Sequence, residues 1–189
     1  MVSDLERLAP GVLIASPSLV DPNFDRTVIL LCMHDEQGAM GLVFNRPAPF
    51  TLSEIFQQIG IETTEDNTQT IMVGGPVSLE NGLVLYEGDP DSELRTDEIR
   101  VDETLRVCPN RDLLEAIGKG MGPERYLMFI GHAGWAPGQL EKEIATGAWL
   151  PADIDRTLLF DAPFADRWSR TLESAGLGLS RMGAFQSPN

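Results

Sequence analysis

The chain has 189 residues, of which 29 are aspartate or glutamate and 14 are lysine or arginine, so its formal net charge at pH 7 is −15. With 42% hydrophobic residues, a chain of this length can bury one sizeable core without support from disulfide bonds or a metal. The acidic surplus argues against direct binding of nucleic acid, because a protein holds phosphates with lysine and arginine.

The first predicted elements are strands. The short apolar segment 12–15 and the uniformly apolar run 27–33 are too short for helices and are typical of buried strands. Turn-forming residues at 35–38 separate the second of these from another apolar segment, 40–45. We therefore expect a β-hairpin over residues 27–46.

A short amphipathic helix is predicted next. Thr51 and Glu54 have the spacing of a capping box, in which each side chain accepts a hydrogen bond from the backbone amide of the other residue. Gly60 is placed to end the helix in a left-handed cap. We expect one face of this helix to pack on the sheet. Its apolar residues recur at helical spacing: Leu52, Ile55, Phe56 and Ile59.

Two further strands and an acidic loop follow. Residues 69–73 and 83–86 are predicted strands, and Glu80–Gly82 is predicted as a turn between them. Residues 87–103 include eight acidic residues and two basic ones, with few large apolar side chains. We expect this segment to be a solvated, mobile loop.

The second half of the chain mixes short helices and strands. Because the helices are interspersed irregularly, the pattern predicts a mixed α+β domain, which we assign to residues 1–175, with a flexible C-terminal tail over 176–189. The predicted elements are a helix capped by Asn110 with Leu113, Leu114 and Ile117 facing the core, a strand over 126–130, a helix over 139–146 opened by Pro137, a strand over 157–160, and a helix from Pro163 with Phe164, Trp168 and Leu172 on one stripe.

The sequence pattern favours a cytoplasmic protein with no membrane segment. The first twenty residues lack the basic start and uninterrupted apolar centre of a signal peptide. The longest strongly apolar run, 28–33, has six residues, whereas a membrane-spanning helix needs about 20. Cys32 and Cys108 both lie in apolar, strand-like segments, which favours two buried free thiols over a disulfide bond.

Two segments, 34–47 and 131–141, hold more glycine, proline and polar residues than a buried core needs. Their glycine spacing matches neither a P-loop nor a dinucleotide fingerprint. The two histidines are far apart in the chain and the cysteines lack CxxC spacing, so we predict no metal, no cofactor and no catalytic residue. The candidates for binding a ligand or a partner are His34, Asn45, Arg46, Gly134, Trp135, Gly138, Gln139 and Glu141.

Structural explanations compete with these binding roles. The glycines of 131–141 and Trp135 also suit close packing in a core. Arg46 could bind an external anion, but an internal ion pair with an acidic residue, such as one on the loop 87–103, is favoured. Cys32 and His34 would face the same side of an extended strand, which could activate the thiol, although an inert buried cysteine is favoured.

Several motifs occur in a fixed order over residues 8–170. They are Leu8–Gly11 with Ile14–Pro17, Asp21–Val28, His34–Asp35 followed by Gly41–Pro47, Gly74–Val77, Gly134–Glu141, and Phe160–Pro163. In this order they resemble the bacterial AlgH/YqgE-like family, whose members are often described as transcriptional regulators. The resemblance implies one α+β domain with a mostly antiparallel, curled and partly barrel-like sheet surrounded by helices. It implies no established reaction, and no catalytic residue is carried over from it.

We therefore expect a cytoplasmic binding or regulatory module. It would meet a protein or a small ligand through a face formed by Asn45–Arg46 and residues 135–141. The alternative is a hydrolase-like enzyme that acts on a small anionic substrate at the same place, with His34 or Glu141 as general base. Any regulatory role is expected to be indirect, because the predicted helix at 51–60 is followed by acidic residues rather than the basic ones that DNA recognition requires.

Overall fold

The computed structural model describes residues 8–64 and 66–178, which form one ten-stranded sheet with helices packed against it. The strands are β1 (Gly11–Ala15), β2 (Val28–Asp35), β3 (Gly38–Val43), β4 (Pro47–Thr51), β5 (Thr70–Val73), β6 (Val77–Glu87), β7 (Ile99–Arg100), β8 (Leu105–Cys108), β9 (Tyr126–Trp135) and β10 (Trp149–Ala152). The helices are α1 (Leu52–Ile59), α2 (Arg111–Gly118), α3 (Gln139–Ala145), α4 (Arg156–Phe160) and α5 (Arg167–Ser174), with a 3₁₀ turn over Phe164–Asp166. None of the described helices is both long and apolar enough to cross a bilayer.

The sheet is open and mostly antiparallel. Its strands follow the order β10-β1-β2-β3-β9-β6-β8-β7, and β5 pairs with β4 as well as with β9. The β5–β9 pair is parallel, and the other pairs in the described residues are antiparallel. The long strand β9 thus pairs with three strands, β3, β5 and β6. The expected α+β class with a curled, mostly antiparallel sheet is confirmed.

Three clusters of buried apolar side chains hold the helices to the sheet. The first includes Leu159 of α4 and Leu172 of α5. The second includes Phe56 of α1 and Leu113 of α2. The third includes Leu140 of α3 together with side chains from β1 and β2. Each cluster removes large apolar surface from water, which is the main term that stabilises such a fold.

The N-terminal hairpin and α1 match their predictions. β2 and β3 pair across the turn, with Asp35 opposite Gly38. At the start of α1 the Thr51 amide donates to Glu54 Oε2 at 2.7 Å, and the Glu54 amide donates to Thr51 Oγ1 at 3.4 Å. Gly60 follows the helix with a φ of 71°, a left-handed conformation that glycine adopts without a Cβ clash. The capping box and its glycine stop are therefore confirmed.

One predicted strand is a helix. Residues 157–160 belong to α4, because the Asp155 carboxylate accepts hydrogen bonds from the amides of Thr157 and Leu158 and so caps a helix start. The run is apolar enough for a strand, yet Leu159 is the only residue of α4 that is buried. The strand at this end of the sheet is β10, which the sequence pattern does not predict.

Two predicted boundaries also differ from the structure. Glu80–Gly82 is not a turn but lies inside β6, where pairing with β9 is interrupted between Val77 and Gly82. An irregular strand exposes polar residues much as a turn does, which explains the error. The predicted strand 126–130 continues to Trp135, so Gly131 and Gly134 are strand residues.

The sequence pattern predicts that the acidic segment 87–103 is solvated. In the structure, part of this segment is buried. It contains β7, and the Glu98 side chain is fully buried beside Arg106 of β8. Arg106 Nη1 lies 3.5 Å from Glu98 Oε2, and the Tyr86 hydroxyl donates a hydrogen bond to Glu98 Oε1. The pKa of Tyr86 is raised to about 12, mainly because the hydroxyl is buried and secondly because it contacts Glu98. The prediction fails because a buried cation holds one of the acidic side chains inside.

Both cysteines are buried free thiols, as predicted. Burial raises the pKa of the Cys32 thiol to about 12, and it also raises the pKa of Cys108. A thiol of this kind is protonated at neutral pH and is a poor nucleophile.

The C-terminal tail prediction falls mostly on residues 179–189, which lie outside the described residues, as do residues 1–7. The domain boundary at residue 175 stays a prediction.

Candidate functional site

Asn45 holds the loop 21–26 against the end of β3. Its Oδ1 accepts a hydrogen bond from the Val28 amide at 3.0 Å, and its Nδ2 donates to the Arg26 carbonyl at 2.9 Å. Arg26 has a φ of 51°, which is uncommon for a residue other than glycine. The two bonds fix the backbone from the Arg26 carbonyl to the Val28 amide, so the Asn45 side chain serves the fold.

Arg46 binds the same loop from the next position. Its guanidinium donates to the Pro22 carbonyl at 3.1 Å and to the Asp25 carbonyl at 3.0 Å. Within residues 8–64 and 66–178 it makes no ion pair, so the predicted pairing with an acidic side chain, such as one on 87–103, is not found in this part of the chain. A guanidinium can satisfy several carbonyls at once because its donors form a rigid planar fork.

Trp135, at the end of β9, is buried and bound to a carboxylate that no sequence motif indicates. Its Nε1 donates to Glu143 Oε2 at 2.9 Å, and Trp149 Nε1 donates to the same oxygen at 2.8 Å. Gln139 Nε2 donates to the other oxygen, Glu143 Oε1, at 2.8 Å. One glutamate on α3 therefore ties together a helix and two strands.

The remaining candidates of the second segment lie at the start of α3. Gly138 precedes the helix with a φ of 73°, and Gln139 Oε1 accepts a hydrogen bond from the Ala136 amide at 3.0 Å. Gly134 and Gly138 are both exposed. Gly138 therefore serves the turn into α3, whereas Gly134 leaves an open position on the surface of β9.

His34 and Glu141, predicted from different segments, are in direct contact. His34 Nε2 lies 2.7 Å from Glu141 Oε1, and the His34 side chain is only 6% exposed. The pKa of Glu141 lies below its ordinary value. The larger cause is the hydrogen bond that the Glu141 carboxylate accepts from its own backbone amide, and the next is the bond with His34. His34 Nδ1 is buried and has no hydrogen-bond partner among the described residues. Such a pair can hold a proton between an imidazole and a carboxylate.

Cys32 does not share a side of β2 with His34, contrary to the sequence prediction. The pairing of β2 with β3 shifts by one residue between Leu31 and Met33, so the strand is irregular at Cys32. Cys32 packs in the cluster beneath α4 and α5, while His34 meets Glu141 on α3. A shift of one residue reverses the alternation of side chains, which removes any thiol–imidazole pair.

The two predicted segments are joined through packing. Arg46 holds the loop that carries Phe24, and the Phe24 ring meets the edge of Trp149 with 5.5 Å between ring centroids. Trp149 in turn meets Trp135 at 5.9 Å. The described residues form cavities, and none of three of these is lined by both Asn45–Arg46 and residues 134–141.

An apolar groove lies between α1, α2 and β6. Its volume is about 440 Å³, and Gln58, Glu80 and Arg111 stand among the polar groups around it. Leu79 is 49% exposed and Ile59 is 37% exposed. We call this recess the apolar groove and define it by six of its lining residues: Phe50, Ile55, Ile59, Leu79, Leu114 and Met128.

The apolar groove adjoins one of the predicted candidates. Val77 precedes Leu79 on β6 and is 42% exposed. A Cβ on Gly134 would stand 4.0 Å from the Val77 side chain, so this exposed glycine borders the same apolar surface. One feature of the sequence indicates the groove. Ile59 extends the apolar stripe of α1 into the last turn of this helix. Leu79 gives no such indication, since it directly precedes the predicted turn at Glu80–Gly82.

Comparison with known proteins gives consistent matches. The AlgH-like family matches residues 12–180. A UPF0301 protein of Xanthomonas campestris is 41% identical over 177 residues, which cover 93% of each chain. A UPF0301 protein of Methylococcus capsulatus is 40% identical over 182 residues, covering 95% of each chain. None of these descriptions names a biochemical activity.

Solved structures share the fold. The solution structure of the AlgH protein from Pseudomonas aeruginosa has a TM-score of 0.77 and 38% identity, with 100% of this chain and 99% of that chain covered. The crystal structure of a protein from Corynebacterium diphtheriae has a TM-score of 0.71 and 26% identity, covering 88% of this chain and 86% of the other. The arrangement of strands and helices is therefore shared over nearly the whole chain.

Proposed function

Because the chain belongs to the AlgH-like family, whose relatives compared above carry no named biochemical activity, we propose that it is a protein-binding module that acts through the apolar groove. The observation that carries the proposal is the exposure of Ile59 and Leu79 on the walls of one recess, with Val77 exposed two residues before Leu79 on β6. Contiguous apolar surface of this kind, rimmed by polar groups, is typical of interaction sites. Any part in gene regulation would then be indirect, through the partner.

The chemistry of the groove indicates the partner. Its floor and walls are apolar side chains between two helices and a strand, which suits the apolar face of an amphipathic helix. Arg111 is already paired with Glu115 at 3.0 Å, while Glu80 stands exposed on the rim. In a chain of net charge −15, a partner segment with basic residues beside its apolar face is favoured.

The residues predicted from sequence have different parts in this proposal. Gly134 borders the surface beside Val77 and would lie at the edge of the partner. His34, Asn45, Arg46, Trp135, Gly138, Gln139 and Glu141 make contacts or turns that keep the neighbouring strand ends rigid. We propose a cytoplasmic location as well, since an acidic surface with two free thiols suits a reducing compartment.

The double variant Ile59→Gln with Leu79→Gln should weaken binding of a basic amphipathic helix. We expect a fluorescein-labelled peptide of leucine and lysine to bind the wild type and to lose about 10- to 100-fold in affinity with the variant, since two apolar side chains no longer gain from burial. Fluorescence anisotropy measures the binding. Because both side chains are already partly exposed, the fold should be kept.

A matched control is the double variant Val20→Gln with Met121→Gln, which changes two residues that are 90% and 71% exposed and do not line the groove. This control should bind the peptide like the wild type. Equal loss in both double variants, or equal binding of a leucine and glutamate peptide, would contradict a groove specific for a basic helix. A wild-type dimer that the groove variant dissociates, seen by sedimentation, would assign the groove to a second copy of the chain instead.

A hydrolase-like activity on a small anionic substrate is a second candidate, favoured by the 2.7 Å contact of His34 with Glu141. In this role the pair would act as a general base. We then expect turnover of p-nitrophenyl esters or phosphates by the wild type and at least about a 100-fold loss in His34→Gln. Absent turnover, or equal turnover by the two proteins, removes this candidate.

A further inference from the structure

A second recess, distinct from the apolar groove, opens at the C-terminal end of α2. Its volume is about 560 Å³, within the range of small-molecule sites. We call it the polar cleft. Its walls are Thr63 and Thr64, residues 66–69, the glycines of 118–122, and Tyr126. Hydroxyl and amide groups dominate these walls, in contrast to the apolar groove.

Internal hydrogen bonds hold the polar side chains of the cleft in place. Asn67 Nδ2 donates to the Tyr126 hydroxyl at 2.6 Å, and Gln69 Nε2 donates to the Tyr126 carbonyl at 2.7 Å. The Gln69 amide donates to Asn67 Oδ1 at 3.0 Å. Since these bonds link the segment 66–69 to the first residue of β9, the cleft needs little rearrangement to receive a ligand.

Several polar atoms of the cleft remain available. The Tyr126 hydroxyl accepts from Asn67 and keeps its own proton to donate. In the part of the chain that the structure describes, the hydroxyls of Thr63 and Thr68 and the side-chain oxygen of Gln69 make no hydrogen bond. The cleft thus presents both donors and acceptors, as a ligand with several hydroxyl groups requires.

The charge of the cleft disfavours anionic ligands. Among the lining residues that the structure describes, Asp66 is the only charged one. The cleft also lies at the C-terminal end of α2, where the helix dipole is negative and where the Gly118 carbonyl accepts a hydrogen bond from the Thr64 amide at 3.0 Å. Lys119 is exposed and does not line the cleft. A neutral or cationic ligand is therefore favoured over a phosphate or a carboxylate.

The base of the cleft is apolar. Phe56 and Ile117 lie there, but they belong to the buried cluster beneath α1 and α2 and are only 0% and 7% exposed. The hydroxyl and amide groups of the walls therefore supply most of the surface that a ligand would contact, which suits a small ligand with several hydroxyl groups. From this combination we propose that the polar cleft binds a small carbohydrate, a hexose or an amino sugar, and discriminates against sugar phosphates.

Titration of the ¹⁵N-labelled protein with glucosamine, glucose and glucose 6-phosphate tests the proposal. We expect saturable amide shifts confined to residues 63–69 and 117–126, with glucosamine binding at least as tightly as glucose. Glucose 6-phosphate should bind at least about 10-fold more weakly than glucose, because its charge meets Asp66 and the end of α2. Shifts scattered outside these residues, no shift at about 50 mM sugar, or tightest binding of glucose 6-phosphate would each overturn it.

Variants separate binding in the cleft from weak binding elsewhere. Thr63→Val and Tyr126→Phe each remove a hydroxyl at nearly constant shape and should weaken glucosamine binding about 5-fold. The matched control is Thr157→Val, an exposed threonine of α4 outside the cleft, which should leave the affinity unchanged. A well-folded Thr63→Val and a well-folded Tyr126→Phe that both bind like the wild type would overturn the proposal. The apolar groove variants should bind sugar normally, so this test does not depend on the protein-binding role.

Discussion

The variant Arg106→Met should lose about 3–5 kcal/mol of the free energy of unfolding, because it leaves the Glu98 carboxylate buried without its cation. Neither side chain of this pair is more than 1% exposed. Arg106 Nη2 also donates to the Asp89 carbonyl at 2.6 Å and to the Ser92 carbonyl at 3.0 Å, and both acceptors would lose their donor. Equilibrium unfolding in urea, followed by circular dichroism, measures the loss.

The control for Arg106 is Arg100→Met on the neighbouring strand β7. Arg100 is exposed, so its substitution should change the stability by no more than about 0.5 kcal/mol. Adding Glu98→Gln to Arg106→Met should recover part of the loss, since it removes the unpaired buried charge. A loss below about 1 kcal/mol in Arg106→Met, or no recovery in the double variant, would show that the ion pair does not stabilise the acidic segment.

Arg167→Met should cost about 3–4 kcal/mol for a different reason, the loss of donors to buried carbonyls. Arg167 is 1% exposed and donates to the carbonyls of Ala162 and Phe44, while its guanidinium lies 4.5 Å from the Phe164 ring centroid. Burial lowers the pKa of Arg167 to about 10. The residue therefore links α5 to the end of β3 and to the turn after α4. Urea unfolding again reports the change.

Arg170 provides the control on the same helix. It is exposed and pairs with Asp166 at 3.4 Å, so Arg170→Met should cost less than about 1 kcal/mol. Arg167→Lys should recover only part of the Arg167→Met loss, because one ammonium cannot reach carbonyls on separate elements as a planar fork does. Equal stability of Arg167→Met and Arg170→Met would refute this role.

The features of the fold that sequence reasoning predicts are those with local signals. Thr51 and Glu54 cap α1 through bonds between residues three apart, and Gly60 ends it by its own conformation. α4 and β10 show the limit. A single cap, Asp155, turns an apolar run into a helix, and β10 is a strand because it pairs with β1 from the other end of the chain. Strand formation depends on such distant partners more than on intrinsic preference.

The candidate site is harder to predict, because its contacts join separate elements. Nothing in the sequence indicates that His34 meets Glu141, although both are candidates. In the sequence, Glu143 looks like an ordinary surface glutamate of a short helix. Only the structure shows that it accepts hydrogen bonds from tryptophans of β9 and β10. Glu98 lies in an acidic run that looks solvated, and only the position of Arg106 reveals its burial.

The position of β9 has a consequence for how the molecule is made. β3 and β5 both pair with β9, which does not begin until Tyr126. During synthesis on the ribosome, these two strands therefore emerge long before the strand that completes their hydrogen bonding. Until then their edges are open to other chains, so the nascent protein depends on shielding of those edges or on rapid completion of translation.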